Sequence, residues 1–489
     1  MTESHKAGCR RKGCIIPAVS ITPLIAFFVG REVYLALTAT PGSAVDYHAL
    51  AEELVASHQP TEGENGWDLL LQAIDRMQAF EEQNEGSDYY GNGYLHLLRP
   101  ADWNEQEYGV SREELTAAGM AGLAGLREAG VWDLLDQLAG SPRVVRPLPR
   151  VGILLDVLLP ELGQTRSLAR ALLARMRVSH DAGDDADVAA AFVQGCGLAR
   201  ALMHQFTLID QLVGIAIFML IDGELRYALV ERPLDEQSLA MIADALDQMS
   251  SLPPELPFQG ERLFMLDTIQ WMYTDDGHGN GRLNLSQTAG IQRTVNGERA
   301  RSSSWVNLGS IAFPSKKQTT RLAEEFYSAV IKAARTPRNE RDALKFDPDT
   351  WLDQLSKRHI LIHIMVPAVG KAIETRDLFD TLLAGTRTMV AIERFNLRDG
   401  LYPATLDQLV PDFLTALPVD PFARDGRFIY RTLDPAADEF GRSYTLYSVG
   451  IDQTDDGGLH DRTLDIKVFR EGESGTDYVF NLPRPDAGD

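Results

Sequence analysis

The sequence predicts a mostly α-helical chain that ends in a small α+β domain with an antiparallel sheet. Three observations carry that expectation. Apolar residues recur at helical spacing from about Val45 to Lys371. Beyond Leu397 the helical period stops at Gly400 and Pro403, and short strand-like runs replace it. The last of these runs flank a glycine-containing loop dense in aspartate.

At 489 residues the chain exceeds one ordinary core, so two or more domains are expected. Hydrophobic and charged contents of 44% and 24% are those of a globular protein. A net charge of -23 argues against nucleic acid or anionic lipid as the main partner of the folded part. It is compatible with cations and basic partners.

The N-terminus breaks the acidic pattern. Lys6, Arg10, Arg11 and Lys12 precede an uncharged run from Gly13 to Gly30, long enough to span a bilayer. Arg31 and Glu32 interrupt it, and Val33 to Ala39 resumes it. Basic residues in front favour a cytoplasmic N-terminus with the remainder translocated. The expectation is a single-pass signal anchor, with residues 1–12 as cytoplasmic tail and 13–39 as transmembrane helix. A cleaved signal peptide processed at Leu37–Ala39 is the alternative. Three cysteines are too few for a disulfide framework, and Cys196 sits in an apolar helical stretch as a small hydrophobe.

Residues 45–371 read as an α-helical ectodomain built as an array of hairpins. Trp67, Leu70, Leu71, Ile74 and Met77 form one stripe. Ser111 and Glu114 form a capping box. Leu168, Leu172 and Met176 mark a helix that ends at Gly183. Val188 to Glu231 reads as an antiparallel helix pair, and Asp235 caps a helix with Leu239, Ile242, Leu246 and Met249 inward. Leu208 to Ile221 is apolar, but Asp210 and Gln211 make it a core helix and no second span. Residues 251–320, richer in Pro, Gly, Ser and Asn, read as an irregular excursion.

Within that excursion, Asp276, Asn280, Gly281 and Leu283 match part of an EF-hand loop. His278 and Gln287 stand where two of its ligands belong, so a surface turn is the better reading. His359 and His363 share a helical spacing that can seat a transition metal, but no glutamate stands beside His359 as a metalloprotease helix requires. The sequence contains no glycine-rich phosphate loop, no G-x-S-x-G elbow and no Cys/His nucleophile motif.

Residues 372–489 form the closing domain. A helix from about Ala372 to Leu397 leads into Gly400, and Thr405 with Gln408 caps a short helix. Arg427–Arg431, Tyr444–Val449, Leu464–Phe469 and Tyr478–Leu482 read as strands. The loop after Val449 carries Asp452, Asp455, Asp456, Asp461 and Asp465 around Gly457 and Gly458. Calcium takes about six to eight oxygen ligands in flexible geometry, which such a loop can supply. A solvated acidic turn is the other reading.

The order Gly400–Pro403, Leu406, Leu409, Asp420–Phe422, Leu446–Gly450, Asp452 and Asp465–Ile466 resembles the C-terminal globular part of type II secretion major pseudopilins. The resemblance implies a helix feeding a small antiparallel sheet and a calcium-binding acidic loop between the last strands. It makes Asp452, Asp455, Asp456 and Asp465 the expected ligands. The whole layout resembles bacterial membrane-anchored proteins that carry this module after a helical ectodomain. A pilin-type leader is missing, since Cys14 follows Gly13 and Ala18 stands where glutamate belongs.

The expectation is therefore a non-enzymatic, extracytoplasmic protein anchored in a bacterial inner membrane. It has a calcium-stabilised C-terminal domain, a protein partner yet to be identified and an interaction or structural role in the envelope. A metal-dependent envelope hydrolase and a pilin-like secretion subunit are the alternatives.

Overall fold

The computed structural model describes residues 29–31, 33, 45–98, 111–148, 152–156, 159–250, 252–275, 278–284, 310–366, 369–461 and 476–484. Nearly all of the expected anchor, the expected strand Leu464–Phe469 and the expected ligand Asp465 lie outside these residues. Contacts divide the chain into two compact units, one of residues 44–268 with 320–489 and one of residues 1–43 with 269–319.

The described chain is mostly helical. Its main helices are α1 (Tyr47–Ser57), α2 (Trp67–Gln83), α3 (Ser87–Leu98), α4 (Arg112–Glu128), α5 (Val131–Gly140), α6 (Glu161–Ala182) and α7 (Asp185–Met203). They continue with α8 (Leu208–Glu231), α9 (Glu236–Met249), α10 (Leu256–Met272), α11 (Lys316–Arg335), α12 (Pro348–Gln354), α13 (Ile360–Met365) and α14 (Val369–Asp399). The irregular stretch expected over 251–320 thus opens with a regular helix, α10, whose apolar residues outweigh the flanking prolines.

Local chemistry places the helix ends. Ser111 and Glu114 close a reciprocal capping box on α4. Gly183 stops α6 in the left-handed conformation, and Asp184 at once caps α7 by accepting from the Asp187 amide. Thr207 caps α8, Asp235 caps α9, and Asp347 followed by Pro348 starts α12.

One apolar cluster runs through the larger unit from Trp67 to Phe480. On α2, Trp67, Leu70, Ala73, Ile74 and Met77 face it. Leu71 does not: it lies about a quarter turn off the stripe and is 38% exposed. Helices α7 and α8 form the expected antiparallel pair. Gly195 lies against Ile221, and Gly214 against Ala199 and Met203. A Cβ at Gly214 would stand 2.7 Å from the Ala199 carbonyl oxygen, so glycine is what lets these backbones approach. Helix α7 has the length and apolarity of a membrane span, but 72% of that window is buried inside the fold, as in a core helix.

The spine helix α14 packs on α8 and α9, with Phe379 meeting Phe218 edge-on at 5.0 Å. A 3₁₀ turn at Leu406–Leu409 follows, with the expected Thr405/Gln408 capping box. Three antiparallel strands complete the unit: β1 (Ile429–Thr432), β2 (Tyr444–Ser448) and β3 (Tyr478–Val479), in the order β1-β2-β3. Ile429 pairs with Tyr447, Thr432 with Tyr444, and Tyr447 with Val479. Central strand β2 is buried at all five positions.

In the other unit, Tyr273 bridges to Leu283, the Thr274 amide donates to the Arg282 carbonyl at 2.9 Å, and the Tyr273 hydroxyl meets Thr319 Oγ1 at 2.8 Å.

Candidate functional site

The acidic loop leaves β2 through a series of tight turns. Gly450, Gln453, Gly457 and Gly458 all have positive φ, the last two at 80° and 83°. Aspartates close the turns between them. Asp452 Oδ1 accepts from the Thr454 amide at 3.0 Å, and Asp455 Oδ1 accepts from the Gly457 amide at 2.9 Å.

A residue from beyond the loop organises it. Asp477, fully buried, stands immediately before β3. Its Oδ2 accepts from the Asp456 amide at 3.1 Å and from the Gly458 amide at 2.8 Å. Its own amide donates to the Leu459 carbonyl at 2.7 Å. The carboxyl is pushed up to about 6, chiefly by burial. The charges of Asp456 and Asp455 add to that, and the two loop amides oppose it. Asp477 Oδ1, Asp456 Oδ2 and Asp452 Oδ2 are all shielded from solvent and lack a hydrogen-bond partner among the described residues. Buried carboxylate oxygens without partners are costly, and a cation relieves that cost.

The expected ligands are thereby sorted. Asp452 and Asp456 each keep an open oxygen. Asp455 has both oxygens engaged: Oδ1 accepts from the Tyr447 hydroxyl at 2.8 Å, and Oδ2 pairs with Arg431 at 3.0 Å. Burial pushes Asp455 up, but Tyr447, Gly457 and Arg431 outweigh it and hold the carboxyl below its usual range. Asp465 lies outside the described residues. Among the described residues, no group of three or more His, Cys, Asp or Glu is arranged to hold a metal ion. Asp477 escaped the sequence reading because it sits far from the loop in sequence. The signal for it was an aspartate directly before the apolar run Tyr478–Leu482.

A second buried carboxyl lies under the sheet. Glu393 on α14 accepts from the Tyr444 hydroxyl at 2.8 Å and lies 3.5 Å from that of Tyr402. Burial pushes it up to about 7, against both phenols. Asp420, in the Asp-Pro-Phe stretch, is buried and pushed up to about 6 by that burial, while its Oδ1 accepts from the Phe422 amide at 3.0 Å.

Other sequence candidates do not assemble. His359 only precedes the short helix α13, and His363 Nε2 lies 3.2 Å from the Leu355 carbonyl oxygen. In the half EF-hand loop, Gly281 uses its carbonyl to accept from the Lys316 amide and Leu283 is buried, while Asp276 and Gln287 lie outside the described residues. Cys196 is buried, and burial pushes its thiol up. Open to solvent is a groove of about 880 Å³ between α1, α10 and α11, lined by Leu50, Leu54, Leu263 and Ile331 with Arg262 and Lys332. Arg262 is held there by Glu324 at 2.6 and 2.8 Å.

Compared with models of known protein families, with curated proteins and with solved structures, the chain matches none.

Proposed function

We propose that this chain is a single-pass, non-enzymatic protein of the bacterial inner membrane with its bulk outside the cytoplasm. Its C-terminal domain is pseudopilin-like and calcium-stabilised, and its role is interaction or structure in the envelope. The basic flank before Gly13 and the uncharged run after it support the anchor. A long helix, a three-stranded antiparallel sheet and an acidic loop before the last strand support the pseudopilin-like reading.

One observation carries the calcium reading: a fully buried aspartate, Asp477, is tied to the acidic loop by two amides while its second oxygen has no partner among the described residues. Asp452, Asp456 and Asp477 would each offer the ion an oxygen; Asp465, the further ligand that the resemblance implies, lies outside the described residues. Asp455 would have to release Arg431 to join them. A bound cation neutralises carboxylates that otherwise repel one another, and it stabilises the fold because the unfolded chain lacks the site.

Thermal unfolding of the full-length protein in calcium, in magnesium and in EDTA tests this. The expected result is a melting point several degrees higher in calcium alone. An Asp456→Ala variant should lose most of that rise. Equal melting in all three conditions refutes the ion reading.

A further inference from the structure

We propose that the ion loop is coupled to helix α8 through residues 477–484, which act as a latch joining the loop to the helical body. This inference rests on the calcium reading above and concerns what ion binding does elsewhere in the fold.

The path is continuous. Asp477 belongs to both ends of the mechanism: its carboxylate is bound by the loop amides, and its backbone opens β3. Strand β3 spans only Tyr478 and Val479, so its own pairing with β2 is short and depends on what holds its ends. Asn481 holds the far side of that pairing. It accepts from the Leu446 amide at 3.1 Å and donates to the Tyr444 carbonyl at 2.6 Å.

From there the segment leaves the sheet for the helices. The Arg226 guanidinium on α8 lies over the rings of Tyr478 and Phe480, at 5.6 and 5.8 Å. The Phe480 ring lies on α14 at Gly385, where a Cβ would come within 2.0 Å of it. Arg484 then closes on α8. Its Nη atoms donate to Glu224 at 2.9 and 2.8 Å, its Nε donates to Glu231 at 3.0 Å, and its guanidinium covers the Tyr227 ring at 4.8 Å.

The coupling follows from linkage. A cation that binds only when Asp477 is docked on the loop favours every contact that requires Asp477 to be docked. Coupling between two sites is reciprocal, so the Arg484 clasp must in turn strengthen cation binding. Arg484 is seven residues from Asp477 and holds no part of the ion site, so any effect of Arg484 on calcium affinity travels through the segment.

The test uses the full-length protein with calcium chloride as the probe. Calorimetry measures calcium affinity, and amide hydrogen exchange follows the loop and the end of α8, residues 222–231, in calcium and in EDTA. Calcium should slow exchange in both regions of the native protein. In Arg484→Ala the loop should still be protected and α8 should not. Calcium affinity should fall at least about 5-fold, the lower end of ordinary allosteric coupling. Arg484→Lys, which keeps the charge and loses the fork, serves if the alanine variant does not fold, with the same pattern expected. Arg394→Ala, which removes an exposed pair with Glu236 on α9, should leave calcium affinity unchanged. Calcium binding that protects the loop and leaves α8 unaltered overturns the latch while the calcium reading stands. Equal weakening by Arg394→Ala overturns the latch as a specific path. Absence of calcium binding to the native protein overturns both.

Discussion

Arg484 reaches back across 260 residues of sequence to grip Glu224 on α8 with both of its terminal nitrogens. The pair joins the last described strand to a helix that the sequence alone assigns to a separate ectodomain. Removing the arginine leaves Glu224 buried beside Glu231 with less compensation. Arg484→Ala should therefore lower stability by about 2 kcal/mol, read as a shift of the urea midpoint. A loss no larger than that of an exposed surface pair would contradict this reading.

Arg146 centres a buried charge cluster in the helical body. It lies buried between Asp210, at 2.6 and 2.7 Å, and Glu161, at 2.6 Å, with its guanidinium over the Trp67 ring. Arg146→Met should cost about 3 to 5 kcal/mol, because two buried carboxylates lose their counter-charge. Adding Asp210→Asn and Glu161→Gln should recover part of the loss. Chemical denaturation of the single and triple variants checks both statements.

Glu393 sets a pH dependence whose sign can be worked out. Burial raises its folded pKa from an ordinary 4.5 to about 7, so the folded state holds the proton more tightly than the unfolded chain. Its contribution is fully favourable below pH 4.5 and is lost as pH rises through about 7. Glu393→Gln cannot ionise and can still accept from Tyr444. It should match the native protein near pH 4 and exceed it by about 3 kcal/mol at pH 8. Melting curves at the two pH values decide; an equal effect at both would assign Glu393 no titration.

Gly385 is a packing requirement on α14. Its missing side chain leaves room for the Phe480 ring, whose atoms would lie 2.0 and 2.2 Å from a Cβ. Gly385→Ala should destabilise by about 1 to 3 kcal/mol despite the better helix propensity of alanine. Gly163, on α6, has open space where a Cβ would go, so Gly163→Ala should be neutral or stabilising. Thermal shifts of opposite sign in the two variants are the expected outcome.

Legibility in the sequence followed the range of the forces involved. Caps at Ser111 and Asp235 were readable because the signal is spaced within one helical turn. The helix pair α7 and α8, the spine α14 and strands β1 and β2 were readable because burial imposes their period. Leu71 failed because adjacent leucines compete for one stripe, and only packing decides which faces in. Asp477, Arg146 and Arg484 were invisible as partners because the groups they meet lie too far off in sequence for spacing to carry a signal. The acidic loop was legible in composition. The residue that anchors it was not.

Calcium titration of the full-length native protein and of Asp477→Asn, followed by calorimetry in magnesium-containing buffer, decides whether Asp477 helps to hold an ion. The substituted carboxamide would keep an oxygen for the two loop amides and lose the charge. One calcium ion should bind per native chain, with an affinity at least about tenfold weaker in the variant, a loss of roughly 1.4 kcal/mol. Equal affinity in the two proteins, or no binding to the native one, would contradict that role for Asp477.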